Sequence, residues 1–250
     1  MTFVAFFYNK LLIWLPYSYR IHKMLISVII PTYNEGEFLP EVIRRVEETP
    51  YNKEIIVIDD GSTDVTREFL QKMERGLIKV VTHKENMGKG AAVRSGIAVA
   101  SGDIIIIQDA DLEYDPKDYP VLLEPIMQGK ADVVYGSRFL GGPHRVLLFW
   151  HSIGNSLLTL ISNMFTDLNL TDMETGYKAF RKEVLRAIAI ESARFGFEPE
   201  ITAKVARKKF RIYEVPISYY GRNYEEGKKI TWKDGVKAIF TVIKYNLFCR

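Results

Sequence analysis

Short apolar runs alternate along the chain with stretches whose apolar residues recur at helical spacing. The runs at residues 25–30, 54–58, 78–81, 103–107 and 131–135 are rich in Val and Ile and predict buried strands. Phe38, Leu39, Val42, Ile43 and Val46 fall on one face of a predicted helix. Gly88-Lys89-Gly90 opens another, running through Ala91 and Ala92 to about Ala100, and Asp115 is a candidate N-cap for one beginning near Pro116 and Lys117. Pro31 predicts the end of the first strand, and Val215-Pro216-Ile217 predicts an edge or terminal strand. Strands alternating with helices imply right-handed crossovers. The expectation is a Rossmann-like α/β domain with a mostly parallel central sheet flanked by helices.

In such sheets ligands bind at the carboxyl ends of the strands. The polar clusters sit there. Residues 33–35, 59–62, 109–113 and 137–138 each follow a predicted strand and should share one rim. Asp109 and Asp111 lie two apart, so a turn at the strand end lets both reach one hard cation, with Glu113 as a third oxygen. Oxygen-only donors suit Mg²⁺ or Mn²⁺ better than Zn²⁺. The competing reading is a solvated acidic loop that only caps the next helix. Convergence of Asp59-Asp60-Gly61-Ser62, Gly88-Lys89-Gly90 and Gly136-Ser137-Arg138 on the same rim favours the metal.

At 250 residues the chain is long enough for a sizeable core, and 47% hydrophobic with 26% charged residues is the composition of a folded protein. Net charge is only +3, so nothing calls for nucleic acid. The single Cys249 excludes an intramolecular disulfide framework and a cysteine metal cage, and fits a reducing compartment. Residues 1–23 are apolar and aromatic but broken by Asn9-Lys10 and Pro16, which fits neither a spanning helix nor a signal peptide. They read either as a membrane-interfacial segment or as an extension preceding a start at Met24. At the other end, residues 232–250 predict an amphipathic helix. Trp232, Val236, Ile239, Phe240, Ile243 and Leu247 fall on one broad face, with Lys233, Lys237 and Lys244 elsewhere. Such a helix either lies on anionic lipid or packs its apolar face on the sheet.

Several stretches carry a family likeness: VIIPTYNE at residues 28–35, VIDDGSTD at 57–64, ENMGKGAAV at 85–93, QDADLEYDP at 108–116 and YGSRF at 135–139. ETGYKAFR at 174–181 and FGFEPEI at 195–201 continue it. The chain from about Leu25 to Asp234 resembles the family 2 glycosyltransferases of GT-A fold, and within them the dolichol-phosphate or polyprenyl-phosphate mannose and glucose synthases. The resemblance implies a metal-dependent inverting transfer of a hexose from GDP-mannose or UDP-glucose to a polyprenyl phosphate. It implies a GT-A domain over residues 24–231. By the same likeness Pro31, Tyr33, Glu35 and Asp60 hold the base and ribose, with Lys89 close by. Asp109, Asp111 and Glu113 hold Mg²⁺ or Mn²⁺ on the diphosphate, and Arg222 with Lys228 or Lys229 closes over the phosphates. Ser137, Arg138 and Arg145 meet the acceptor phosphate, so Asp111 and Arg138 are the implied catalytic pair. The likeness places the enzyme at the cytoplasmic face of a membrane, with a membrane-protein partner as an option. The sequence departs from the synthases at GGPHRVLLFW, residues 141–150, and at EEGKK, residues 225–229, which leaves the donor nucleotide open.

Charge chemistry agrees with the likeness. Leaving-group charge on a diphosphate needs a divalent ion and basic side chains. A phosphate acceptor is already anionic, with a second pKa of about 6, and calls for cations such as Arg138, Arg145, His144 and His151. A hydroxyl acceptor would instead call for a carboxylate base, with Asp172, Glu174, Glu198 and Glu200 as candidates. A sugar nucleotidyltransferase would want a glycine-rich loop with Arg after the first strand, where Pro31-Thr32-Tyr33-Asn34 stands. A dehydrogenase would want GxGxxG there. A non-catalytic sugar-nucleotide-binding subunit has less use for Asp109, Asp111 and Arg138 together.

Overall fold

Strands and helices alternate through the computed structural model, which describes residues 24–73, 78–146, 149–194, 196–222 and 232–247. Their order is β1 (Ile26–Thr32), α1 (Leu39–Glu47), β2 (Lys53–Asp59), α2 (Val65–Met73), β3 (Ile78–Thr82), α3 (Lys89–Val99) and β4 (Ile104–Ile107). A 3₁₀ turn (Pro116–Asp118) leads into α4 (Tyr119–Met127) and β5 (Val133–Ser137). Then follow α5 (Phe149–Thr166), β6 (Lys178–Arg181), α6 (Lys182–Arg186), α7 (Phe197–Arg207), β7 (Ile212–Pro216) and α8 (Trp232–Leu247). The seven strands form one sheet in the order β3-β2-β1-β4-β6-β5-β7. Only β6 runs antiparallel to its neighbours, β4 and β5. The α/β expectation therefore holds. The strand order reverses direction at β1 and β4, which opens a crevice at their carboxyl ends.

The period of two along each strand divides its side chains between two cores. Ile26, Val28 and Ile30 of β1 join Leu39, Val42, Ile43 and Val46 of α1 and Leu122, Leu123 and Ile126 of α4 on one face. Ile29 joins Ala92 and Val93 of α3, Phe197, Ile201 and Val205 of α7, and Val242 of α8 on the other. Both faces are covered, which is why the central strands read as unbroken apolar runs.

Four local expectations change. The first strand does not stop at Pro31: β1 continues to Thr32, with Pro31 opposite Ile58. Carbonyls of even-numbered residues of β1 point to β2, as Asp60 N to Thr32 O shows, while Ile29 O accepts from Gln108 N at the end of β4. The missing N–H of Pro31 therefore faces the side where β4 has already ended, and no ladder bond is lost. Strand β5 is shifted to end at Ser137, because it pairs with β7 as far as Ser137 opposite Pro216. β7 is an edge strand, as its proline predicts. Strand β6 has no apolar run to announce it, with Lys178 and Arg181 at its ends.

The fourth correction concerns α8, which packs on α5 and α7. Ala238, Val242 and Tyr245 are its buried residues, whereas Phe240 and Leu247 are exposed beside Lys237 and Lys244. The single broad apolar face expected from the sequence is thus split between core and surface. The side chains of Trp232 and Val236, and residues 1–23, lie outside what is described.

Candidate active site

Chain geometry after β4 fixes the acidic cluster. Gln108 is buried, donates from Nε2 to the carbonyls of Asp109 and Tyr114, and accepts from the Tyr119 hydroxyl. Leu112 adopts a left-handed conformation (φ 61°), and Asp115 caps the 3₁₀ turn through Lys117 N. The loop is pinned at both ends.

Each of its three carboxylates meets a cation or a donor. Asp109 pairs with Lys89 Nζ at 2.8 Å. Asp111 Oδ2 accepts from Arg222 Nη2 at 2.7 Å. Glu113 accepts from Arg222 N at 2.9 Å and from the Tyr219 hydroxyl at 2.8 Å. Arg222 also reaches Glu35 at 3.5 Å, so one guanidinium spans the loops after β1 and β4. Burial first, then the neighbouring Asp109 and Glu113 charges, push the Asp111 carboxyl up to about 7 against the pull of Arg222. That excess of negative charge is what a divalent ion relieves, and an oxygen-only set suits Mg²⁺ or Mn²⁺. Among the described residues no three His, Cys, Asp or Glu side chains are grouped closely enough to hold a metal ion, and Lys89 and Arg222 pair with Asp109 and Asp111.

Lys89 is placed by backbone. Gly88, at φ 97°, starts α3, and a Cβ there would lie 2.5 Å from Ala193 O. Asp60 holds this turn from below, accepting from Met87 N, Gly88 N and the His83 ring. Glycine at 176 lets β6's approach pass against the pair: a Cβ would sit 2.4 Å from Asp109 Oδ2 and 2.8 Å from Lys89 Nζ. Burial works against the Lys89 charge, but Asp109 and Glu198 outweigh it and its pKa rises.

At the end of β5 stands the other charged centre. Arg138 is clamped by Asp172 through Nε at 2.6 Å and Nη2 at 2.7 Å, and Nη2 also donates to Asn155 at 3.1 Å. Asp172 is fully buried; burial would raise its pKa, yet Arg138 holds it low. Among the described residues Nη1 of Arg138 carries no hydrogen bond. The guanidinium lies over the Tyr219 ring, 5.3 Å from its centroid, and the same tyrosine donates to Glu113. One aromatic ring therefore separates the cation from the acidic loop. Ser137 bonds Thr171, and exposed Arg145 donates to Gly221 O at 3.3 Å.

The four candidate bases differ. Asp172 is committed to Arg138, and Glu200 to the amides of Glu191 and Ser192 and to Lys204. Glu198 lies 3.3 Å from Lys89. Glu174 keeps a buried Oε1 with no hydrogen-bond partner among the described residues, and burial, then Glu198, push its pKa up to about 8. Nearby Lys178, fully buried on β6, donates to the carbonyls of Met173 and Thr175 and is depressed to about 8, chiefly by burial. Sequence reading missed Lys178 as a site residue. No apolar run marks the strand that carries it, so the sequence holds no signal for its burial.

Elsewhere on the rim Pro31 is partly buried, Tyr33 is exposed, and Glu35 N donates to Thr66. Asn34 joins this loop to the one after β2, accepting from Thr63 N. Lys228 and Lys229 lie outside the described residues. Asp60 has both oxygens committed to the turn before α3.

The profile of Glycosyl transferase family 2 matches residues 27–189, from the second residue of β1 through β6, with Lys89, the acidic loop and Arg138 inside the match and Glu198, Tyr219 and Arg222 beyond it. This chain belongs to glycosyl transferase family 2. The glycosyltransferase is 33% identical over 242 residues to an undecaprenyl-phosphate mannosyltransferase of Micrococcus luteus, covering 91% of this chain and 96% of that one. It is 33% identical over 211 residues to a dolichol-phosphate mannosyltransferase of Pyrococcus furiosus, covering 82% of this chain and 59% of that one. Among solved structures, glucosyl-3-phosphoglycerate synthase of Mycobacterium tuberculosis with Mn²⁺, UDP and glucosyl-3-phosphoglycerate superimposes with a TM-score of 0.73. That match has 21% identity and covers 92% of this chain and 82% of that one, and it shows the GT-A fold.

Proposed function

We propose that this glycosyltransferase moves a hexose from a nucleotide sugar, GDP-mannose or UDP-glucose, to a polyprenyl phosphate with inversion at the sugar carbon. The names of the two relatives favour mannose. The observation that carries the acceptor is Arg138, a guanidinium held by Asp172 through Nε and Nη2, with no Nη1 hydrogen bond among the described residues, and one tyrosine ring from the acidic loop.

Asp109 and Asp111, with Glu113, would hold Mg²⁺ or Mn²⁺, as the oxygen-only donors fit. Such an ion supplies charge neutralisation on the departing diphosphate. Arg222, from the opposite loop, adds a second cation there, with Lys228 or Lys229 as further candidates. Pro31, Tyr33, Glu35 and Asp60 would line the base and ribose, Asp60 acting through the turn it holds. Arg138, with Ser137 and Arg145 nearby, would grip the acceptor phosphate and aim one oxygen at the sugar carbon. A phosphomonoester with a second pKa of about 6 is already a nucleophile at neutral pH. No carboxylate base is then needed, consistent with Asp172 and Glu200 being fully engaged. Work on a lipid acceptor implies action at the cytoplasmic face of a membrane, alone or beside a membrane protein.

Arg138→Lys tests the acceptor role, because it keeps a charge opposite Asp172 but loses the paired N–H groups. The KM for polyprenyl phosphate should rise about tenfold or more, with donor KM unchanged. Equal changes in both would overturn the assignment. A hydroxyl acceptor would instead make Glu174 the base, and transfer to polyprenol with loss in Glu174→Gln would favour that reading.

A further inference from the structure

Tyr219 follows β7 on the segment that runs from the loop after β5 to the acidic loop, and its backbone is fixed before its side chain is considered. Ile217 N donates to Ser137 O at 3.1 Å, Tyr219 N to Pro143 O at 3.0 Å, and Arg145 N to Tyr219 O at 2.9 Å. His144 and Tyr219 face each other there as an isolated parallel bridge. One residue later the segment changes partner, because Tyr220 N donates to Glu113 O at 3.0 Å. The side chain makes the same crossing. Its ring lies 5.3 Å from the Arg138 guanidinium and 5.6 Å from the ring of Tyr114, which stacks on Tyr177 in the core. Its hydroxyl meets a different group, donating to Glu113 Oε2 at 2.8 Å while Arg222 N donates to Oε1 at 2.9 Å. A carboxylate held through both oxygens has its plane fixed and keeps lone pairs for a cation.

We infer that Tyr219 is a positioning residue with two separable duties: its ring holds the Arg138 guanidinium in place for the acceptor phosphate, and its hydroxyl orients the Glu113 carboxylate for the divalent ion. Both duties rest on the function proposed above, the first on its acceptor and the second on its metal. An aromatic face attracts a guanidinium without using any of its N–H groups. Arg138 is thus fixed by the Tyr219 ring and by Asp172 through Nε and Nη2, while Nη1 carries no hydrogen bond among the described residues and is left for phosphate. A hydrogen bond to a carboxylate that ligates metal sets its orientation and so its affinity for the ion. A tyrosine that only filled space would have no use for the hydroxyl, and phenylalanine would replace it without effect. The two duties therefore separate in substitutions that remove the hydroxyl alone or the ring as well.

The test compares Tyr219→Phe with Tyr219→Leu and Tyr219→Met in the full chain. Affinity for Mn²⁺ is read by titration calorimetry with GDP or UDP present. Acceptor KM is read by transfer to a short polyprenyl phosphate, with Mn²⁺ raised until it saturates each variant. Tyr219→Phe should weaken Mn²⁺ binding about tenfold or more, with melting temperature and acceptor KM close to wild type. Tyr219→Leu and Tyr219→Met should show the same loss of Mn²⁺ and also raise acceptor KM about fivefold or more. Tyr219 is half-buried, so these variants should fold, and two of them guard the ring comparison against one that does not. Unchanged Mn²⁺ affinity in Tyr219→Phe overturns the duty of the hydroxyl. An acceptor KM in the leucine and methionine variants equal to that of Tyr219→Phe overturns the duty of the ring. Wild type that binds no Mn²⁺, or transfers to no polyprenyl phosphate, contradicts the proposed function and takes the matching duty with it. A failed function thus shows in wild type, and a failed inference only in the variants.

Discussion

Arg138 illustrates how a buried partner changes the meaning of a substitution. Truncation to alanine would strand the fully buried Asp172 carboxylate and cost about 3–5 kcal/mol of stability, so lost activity in Arg138→Ala would report unfolding as much as acceptor binding. Asp111 is a cleaner probe. Asp111→Asn keeps the shape and an acceptor for Arg222 while removing a metal charge, and should lower turnover about a hundredfold or more at unchanged melting temperature. Metal-dependent turnover near the wild-type rate would remove Asp111 from the metal site. Glu174 gives a pH signature. Its folded pKa of about 8 lies above the ordinary 4.5, so the folded state binds more protons than the unfolded one across that window. Its contribution to stability is therefore lost as pH rises from about 4.5 to about 8. Urea denaturation with chelator at both ends of the window should show Glu174→Gln losing less stability than wild type on going up. Equal slopes would contradict the shift.

At the scale of elements, the turns that carry the site were legible because strand ends advertise themselves. The polar clusters after β1, β2, β4 and β5 come together as their positions in an α/β pattern require. Pro31 misled because proline ends a strand only where its missing N–H would have been paired, and sequence does not show that β4 stops first. Strand β6 was illegible for a related reason: a buried lysine held by carbonyls has no hydrophobic signal. Gly176 belongs to the same segment and makes a sharp prediction. Gly176→Ala would put a Cβ 2.4 Å from Asp109 Oδ2 and 2.8 Å from Lys89 Nζ, so the ends of both side chains must shift from their present positions. Donor binding, read by titration calorimetry with nucleotide and metal, should weaken about tenfold or more. Unchanged affinity would place the Asp109–Lys89 pair outside the donor site. Asp60 acts through an element as well. Asp60→Ala leaves the amides of Met87 and Gly88 without their acceptor, and the buried Gly88 N–H alone costs about 1–3 kcal/mol, which chemical denaturation would register.

For the molecule as a whole, periodicity carried the fold further than the surface. Class, sheet and rim follow from apolar runs covered on both faces. The split of α8 between core and water does not, because its wheel lacks the positions of α5 and α7 that decide which apolar residues find partners. The cations and carboxylates of the rim were individually visible in sequence, but their pairing was not. Arg222 lies more than a hundred residues from Asp111 along the chain and 2.7 Å from it in space. The measurement that bears most directly on the central claim is sugar transfer to a short polyprenyl phosphate. It is run with GDP-mannose and UDP-glucose in parallel, with Mg²⁺ or Mn²⁺ and with chelator. A glycolipid phosphodiester of inverted configuration, from one donor and lost on chelation, is the predicted result. Failure of both donors under conditions where nucleotide binds, or product that persists with chelator, would contradict it.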